Sequence, residues 1–133
     1  SGTVFVSVAD RDKRSSVLAV KQLVDMGFDV VATAGTAAML DRYGITSTRI
    51  AKYYEAAEGE RTILDDITEG RIDLVINVPA GRQERADGYE IRAAAVASSI
   101  PLVTTVAEFT AAVTAIEGQR AAAFDVRSLQ DWA

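Results

Sequence analysis

Two of the three lysines follow predicted strands, where they could bind a phosphate. The chain has three lysines against eleven arginines. Lys13 comes after the first predicted strand and Lys52 after the third. An ammonium group at such a place forms charge-assisted hydrogen bonds to phosphate oxygens. For each lysine, a solvated charge on the surface is the alternative interpretation.

The residues between the second strand and the next helix have the composition of an anion-binding turn. Thr33, Gly35 and Thr36 lie where a strand is predicted to lead directly into a helix N-terminus. Unpaired backbone N–H groups and the positive end of the helix dipole suit a phosphate there. Gly35 would let the backbone approach closely, and the hydroxyls could donate. The alternative is that Thr36 caps the helix and Gly35 makes a tight turn.

Polar residues also end the two strands predicted to be the most deeply buried. Asn77 closes the fourth strand, where a carboxamide must find partners or cost free energy. It could bind the base or sugar of a ligand, or it could brace the neighbouring loop. Ser7 belongs to the residues taken to follow the first strand, and Pro79 to those that follow the fourth. Ligands of open parallel sheets bind at these carboxyl ends.

Composition removes several classes of function. The chain has no cysteine and no histidine, which excludes thiol nucleophiles, cysteine-bound metals and the commonest general base. Neither GxGxxG nor the P-loop pattern is present. A net charge of −5 argues against a nucleic-acid partner. No apolar run approaches the ~20 residues of a membrane span, and no signal peptide is visible. We therefore expect a cytoplasmic domain without a membrane partner.

Alternating strand and helix patterns predict an α/β fold. The expected architecture is a three-layer α/β/α sandwich around a five-stranded, mainly parallel, Rossmann-like sheet. Asp87 and Glu90 fit a capping box. We predict a single domain over residues 3–133, with Ser1 and Gly2 as vector-derived residues outside the fold. The predicted strands are 4–8, 28–32, 46–51, 72–78 and 102–103, and the helices are 13–26, 35–43, 61–69, 88–98 and 106–116.

The order and spacing of these segments resemble the methylglyoxal-synthase-like superfamily over essentially the whole sequence. Within it, the chain is most similar to the C-terminal allosteric domain of the carbamoyl phosphate synthetase large chain. The matching pieces are Val4-Phe5-Val6-Ser7-Val8 with Asp12-Lys13, Gly27-Phe28, Ala32-Thr33-Ala34-Gly35-Thr36-Ala37, Glu58-Gly59, Gly70 to Asn77, Asp87 to Arg92, Ile100-Pro101 and Ser128-Leu129-Gln130-Asp131.

The resemblance implies regulation rather than turnover, with no catalytic residue and no cofactor or metal in this domain. Such domains bind nucleotide monophosphates, UMP as inhibitor and, in some members, IMP as activator. Ornithine activates some members at an interface with the neighbouring domain. Pro79 stands where some relatives have threonine, and Glu60-Arg61-Thr62 departs from their Arg-Pro sequence. By position, the resemblance assigns phosphate binding to Lys13, Thr33, Thr36 and Lys52, and nucleoside binding to Asn77. The predicted effector site comprises Ser7, Lys13, Thr33, Gly35, Thr36, Lys52, Asn77 and Pro79.

The resemblance also implies partners outside the domain. These are the remainder of the large chain, which would use ATP and magnesium, and the glutaminase small chain. The main alternative is a methylglyoxal synthase acting on dihydroxyacetone phosphate. That enzyme needs an aspartate near the position of Glu60 and a histidine in the loop 80–87, which contains none. An inosine-monophosphate cyclohydrolase domain, or a structural domain with an empty pocket, are further alternatives.

Overall fold

Five strands and five helices alternate along the part of the chain that the structure describes. The computed structural model describes residues 2–9, 12–51, 58–79 and 88–132, with Lys13 and residues 120–132 described by their backbone alone. In chain order the elements are β1 Gly2–Val8, α1 Lys13–Asp25, β2 Phe28–Ala32, α2 Ala34–Arg42, β3 Thr48–Arg49, α3 Ile63–Thr68, β4 Leu74–Val78, α4 Tyr89–Ala97, β5 Leu102–Val103 and α5 Val106–Trp132.

The strands form one parallel sheet in the order β3-β2-β1-β4-β5. Helices cover both faces, and a hydrophobic core fills each side. Val4, Val6 and Val8 of β1 pack on the side of α1, α2 and α5. Phe5 of β1 and Val75 of β4 pack on the side of α3 and α4. The predicted α/β fold class is therefore confirmed.

Apolar and β-branched residues explain why β1 and β4 lie at the centre. All five residues of β4 are buried, because both faces of this strand are covered by helices. β3, in contrast, is a two-residue edge strand with both residues exposed. Within the described residues, it pairs with Val31 and Ala32 of β2. The predicted strand over 46–51 was therefore too long, because little apolar surface is buried at this edge.

Other element ends differ from the prediction. β1 includes Gly2, which pairs with Phe28 although the sequence had placed it outside the fold. α4 has Gly88 as its N-cap, so the cap predicted at Asp87 was one residue too early, and Asp87 lies outside the described residues. α5 continues to Trp132 instead of ending at Ile116. A glycine inside a helix, here Gly118, costs only about 1 kcal/mol, and the alanine-rich segment after it sustains the helix.

The strand order reverses between β1 and β4. β1 connects through α1 to β2 on one side, and the chain later returns through α3 to β4 on the other. The carboxyl ends of β1 and β4 therefore border the crevice where open α/β sheets bind ligands.

Candidate functional site

Ser7 and Asn77 lie side by side at the carboxyl ends of the two central strands. They are register partners in the β1–β4 pair. Side chains alternate between the faces of a strand, and the neighbours Phe5 and Val75 point into the core beneath α3 and α4. Ser7 and Asn77 therefore belong to that same face. The structure brings these two predicted site residues together.

The Asn77 side chain has a buried donor in need of an acceptor. The residue is 8% exposed. Its Nδ2 has no hydrogen-bond partner among the residues that the structure describes. Leaving a buried polar group unsatisfied costs about 1–3 kcal/mol. A ligand that offers an oxygen acceptor would recover that free energy. The alternative role, bracing the loop after Pro79, falls on residues 80–87, outside the described residues.

The N-terminus of α2 presents backbone donors at the same edge of the sheet. The N-cap is Thr33, in an extended conformation with φ −68° and ψ 159°, and its side chain makes no capping hydrogen bond. The N–H groups of Ala34, Gly35 and Thr36 belong to the first turn, which has no intrahelical acceptors for them. Gly35 is exposed. The interpretation of Thr36 as the cap and Gly35 as a tight turn was therefore wrong.

The buried hydroxyl of Thr36 accepts a hydrogen bond from the end of β1. The Ala9 N–H donates to the Val78 carbonyl of β4 at 2.9 Å. Successive N–H groups of a strand point to opposite sides, so the Val8 N–H points towards β2. The pairing of β1 with β2 ends two residues earlier, at Val6 and Ala32. The Val8 N–H donates instead to Thr36 Oγ1 at 3.3 Å, and Thr36 is 2% exposed.

The N-terminus of α5 differs from that of α2 in its capping. The Glu108 N–H donates to Thr105 Oγ1 at 3.1 Å, and the Thr105 hydroxyl donates to Glu108 Oε1 at 2.9 Å. In α5, the Thr105 hydroxyl thus accepts one of the first-turn N–H groups, and the Glu108 carboxylate lies at the positive end of the helix dipole. Between these two helix ends, that of α2 retains the capacity to bind an added anion.

Of the two lysines predicted to bind phosphate, the structure describes the backbone of Lys13 but not Lys52. Lys13 is the first residue of α1, at the edge of the sheet where β1 ends, and only its backbone is described. Two hydroxyls support this helix start, because Ser15 and Ser16 donate to the Asp12 carbonyl at 3.0 and 2.9 Å. Lys52 lies outside the described residues. The phosphate contacts of both lysines stay predictions.

Pro79 borders a cavity of about 450 Å³ beside the carboxyl ends of β4 and β5. The sequence analysis missed Arg92, which also lines it from α4. Its position four residues after the N-cap Gly88 places it near the edge where α4 begins, and that spacing is the signal that could have identified it. The other described residues that line it are Asp12, Val78, Thr104, Thr105 and Val106. A second cavity, of about 560 Å³, includes Thr3 and Phe28 from the opposite, amino-terminal edge.

The segment that departs from the family pattern forms an ion-pair cluster. Arg61 Nη2 lies 2.7 Å from Asp66 Oδ1 and 2.5 Å from Glu69 Oε2. Arg71 lies 3.4 Å from the same Glu69 oxygen. Hydrogen bonds from Arg61 lower the pKa of Glu69, and those to Glu69 and Asp66 raise the pKa of Arg61. The cluster joins the two ends of α3 and has a structural role.

Comparison with known proteins agrees with this fold. Residues 16–104 match the model of the MGS-like domain family. The chain belongs to the MGS-like domain family. The resemblance noted in the sequence is thereby confirmed.

Relatives of this MGS-like domain are segments of much longer proteins. It is 58% identical over 135 residues to the carbamoyl phosphate synthase large chain of Clavibacter sepedonicus, which covers 100% of the chain. Identity is 55% over 134 residues to that of Arthrobacter sp. (strain FB24), covering 99% of the chain, and 53% over 132 residues to that of Kocuria rhizophila, covering 98%. In each case the domain spans 12% of the relative's length. Within the described residues, no helix meets the length and apolarity needed to cross a bilayer.

Proposed function

We propose that this chain is the allosteric domain of a carbamoyl phosphate synthase large chain and binds a nucleotide monophosphate effector. UMP acts as inhibitor, and IMP is a candidate activator of the same site. The observation that carries the proposal is the buried Nδ2 of Asn77, which has no partner among the described residues and lies at the same edge of the sheet as a helix N-terminus without a side-chain cap. A nucleotide monophosphate offers what the two features require, since it joins a phosphate to a sugar and base rich in oxygen acceptors.

The ligand's phosphate binds the first-turn N–H groups at Gly35 and Thr36. Lys13 and Lys52 supply positive charge in an otherwise acidic chain of net charge −5. The nucleoside extends towards Asn77, Ser7 and Pro79. Backbone donors and the helix dipole hold the anion without any metal ion.

Regulation follows from differential affinity between two forms of the longer enzyme. UMP must bind the less active form more tightly in order to inhibit. Coupling free energies of this kind are typically about 1–3 kcal/mol. Synthesis of carbamoyl phosphate for the pyrimidine and arginine pathways, with ATP, magnesium and the glutaminase small chain, takes place outside this domain.

Isothermal titration calorimetry of the 133-residue chain with UMP and with IMP tests the proposal. We expect a saturable one-to-one heat with UMP that is lost in Asn77→Ala. Ser98→Ala, a substitution at the exposed end of α4, is the matched control and retains the heat. Absence of heat with both nucleotides up to millimolar concentration would overturn the proposal. Formation of methylglyoxal from dihydroxyacetone phosphate would instead support the alternative enzyme.

A further inference from the structure

The hydroxyl of Thr36 lies between the proposed anion site and the end of a central strand. It accepts the Val8 N–H at 3.3 Å, across 28 positions in the sequence. A hydroxyl that accepts one hydrogen bond still has its own proton to donate. Thr36 is the third residue of α2. Its hydroxyl is therefore in the same helix turn as the backbone N–H groups that we propose bind the phosphate.

We infer that Thr36 is a positioning residue that transmits occupancy of the anion site to the carboxyl end of β1. This inference rests on the proposed function and adds its route of transmission. When the hydroxyl donates its proton to a phosphate oxygen, its oxygen becomes a stronger acceptor, because hydrogen bonds in series polarise one another. At 3.3 Å the bond from Val8 is longer than the usual N–H···O range of about 2.7–3.2 Å, so it has room to shorten.

The end of β1 is also bonded to the end of β4. The Ala9 N–H, next to Val8, donates to the Val78 carbonyl at 2.9 Å. Val78 lies between Asn77 and Pro79, which the proposal assigns to the nucleoside. The Ala9 carbonyl accepts the Asp12 N–H at 2.9 Å, immediately before Lys13 begins α1. A tighter Val8–Thr36 bond therefore acts on the strand end that joins the phosphate and nucleoside halves of the site.

Hydrogen exchange at the Val8 amide measures this coupling directly. If opening of the Val8–Thr36 bond requires release of the anion, ligand slows exchange by about 1 + [L]/Kd, which is about tenfold at ten times Kd. The probes are UMP and inorganic phosphate. The control amide is Ser98, which donates to the Ala94 carbonyl at 3.0 Å at the end of α4. We expect its exchange rate to stay unchanged.

Two variants separate transmission from a purely structural role. Thr36→Val keeps the shape and removes the hydroxyl, so we expect UMP affinity about 10- to 100-fold lower, as for a lost charge-assisted hydrogen bond. At UMP concentrations that saturate this variant, exchange at Val8 should no longer respond. Thr36→Ser keeps the hydroxyl, and it should restore both the affinity and the tenfold slowing.

The outcomes distinguish failure of the coupling from failure of the site. If calorimetry shows UMP binding while exchange at Val8 stays at its unliganded rate, the coupling is wrong and the effector site stands. The same holds if Thr36→Val, when saturated, still slows exchange at Val8. If neither UMP nor phosphate binds the parent chain, both inferences are overturned. The parent chain alone decides these cases if Thr36→Val does not fold.

Discussion

Asn77 shows how a residue that we propose binds a ligand can act against stability. It occupies the end of a strand whose five residues are all buried, and its Nδ2 has no partner among the described residues. An apolar side chain of similar size would fit the surrounding core with less desolvation cost. Binding sites commonly retain such unfavourable groups because the ligand satisfies them.

Asn77→Leu is therefore expected to stabilise the unliganded chain, or leave it unchanged, while removing its response to effector. The gain should not exceed the about 1–3 kcal/mol cost of an unsatisfied buried group. Urea denaturation with and without UMP measures both effects. A free energy of unfolding that falls by more than about 1 kcal/mol without ligand would mean that Nδ2 does have an acceptor in the folded chain.

Asp73 holds the start of β1 through a side-chain hydrogen bond. Its Oδ2 accepts the Thr3 N–H at 2.8 Å, where β1 enters the sheet beside the segment leading to β4. We expect Asp73→Ala to lower the free energy of unfolding by about 0.5–1.5 kcal/mol, as for one lost hydrogen bond. Asp29→Ala is a control at an exposed position of β2. Equal denaturation midpoints for the parent and Asp73→Ala would contradict this role.

At the scale of elements, the short helix α3 is held by two buried isoleucines and by an ion-pair cluster near its ends. The helix has six residues, too few to be stable in isolation. Ile63 and Ile67 bury one side of it in the core, and Asp65 accepts the Thr62 N–H at 2.9 Å. Arg61 adds contacts to Asp66 and Glu69 near the two ends of the helix. Individual exposed pairs contribute little, but a network held by one arginine contributes more.

The contribution of this cluster should disappear in acid. Arg61 lowers the pKa of Glu69 in the folded chain, so the stabilisation is present above the unfolded pKa and is lost as pH falls through the folded one. We expect Arg61→Gln to be less stable than the parent near neutral pH, with the difference vanishing as the pH falls below the ordinary pKa of a glutamate and through the lowered pKa of Glu69. Urea midpoints across this range measure it, with Arg14→Gln on α1 as control. A difference that persists in acid would contradict the assignment.

Packing of α5 against the sheet provides a contrasting test of an apolar contact. Phe109 is 0% exposed and lies in the core shared with α1. Phe109→Ala is expected to lower the free energy of unfolding by about 3–5 kcal/mol. Val96 on α4 is 71% exposed, so Val96→Ala should change it by less than about 0.5 kcal/mol. Comparable losses in the two variants, measured by urea denaturation, would contradict the observed core.

At the scale of the whole molecule, the domain spans 12% of the relatives it matches. The regulatory role that we propose therefore requires the remainder of a large chain of that length. Coupling is reciprocal: if UMP weakens ATP binding elsewhere in the chain, ATP weakens UMP binding by the same factor. The isolated domain can show binding, but this reciprocity needs the longer protein.

We therefore expect ATP to lower UMP affinity in the complete large chain by about 5- to 150-fold, the range of typical coupling free energies. Equilibrium titrations of each nucleotide in the presence of the other measure the factor from both directions. The 133-residue chain is the matched control, and its UMP affinity should not respond to ATP. Equal UMP affinities with and without ATP in the complete chain would contradict this coupling.

The sequence predicts a structural feature when residues close together in the chain determine it. The apolar run of β4 and the strand-to-helix step after Ala32 were predictable, because local composition determines both. The hydrogen bond between Thr36 and Val8 was not predictable, because the two residues are 28 positions apart in the sequence. The end of α5 was missed because Gly118 resembles a stop signal when downstream helix propensity is left out. Lys52 lies outside the described residues, so its contacts remain a prediction.

The pairing of Ser7 with Asn77 determines when in folding the crevice can exist. These register partners are separated by about half the chain, and β2, α2 and α3 lie between them. Contacts of such long sequence separation form slowly, because the intervening loop must first lose entropy. On a ribosome, β1, β2 and α2 emerge well before β4 can join them. The proposed effector site is therefore completed late in synthesis, and the binding of a nucleotide that we propose must wait until the two central strands have met.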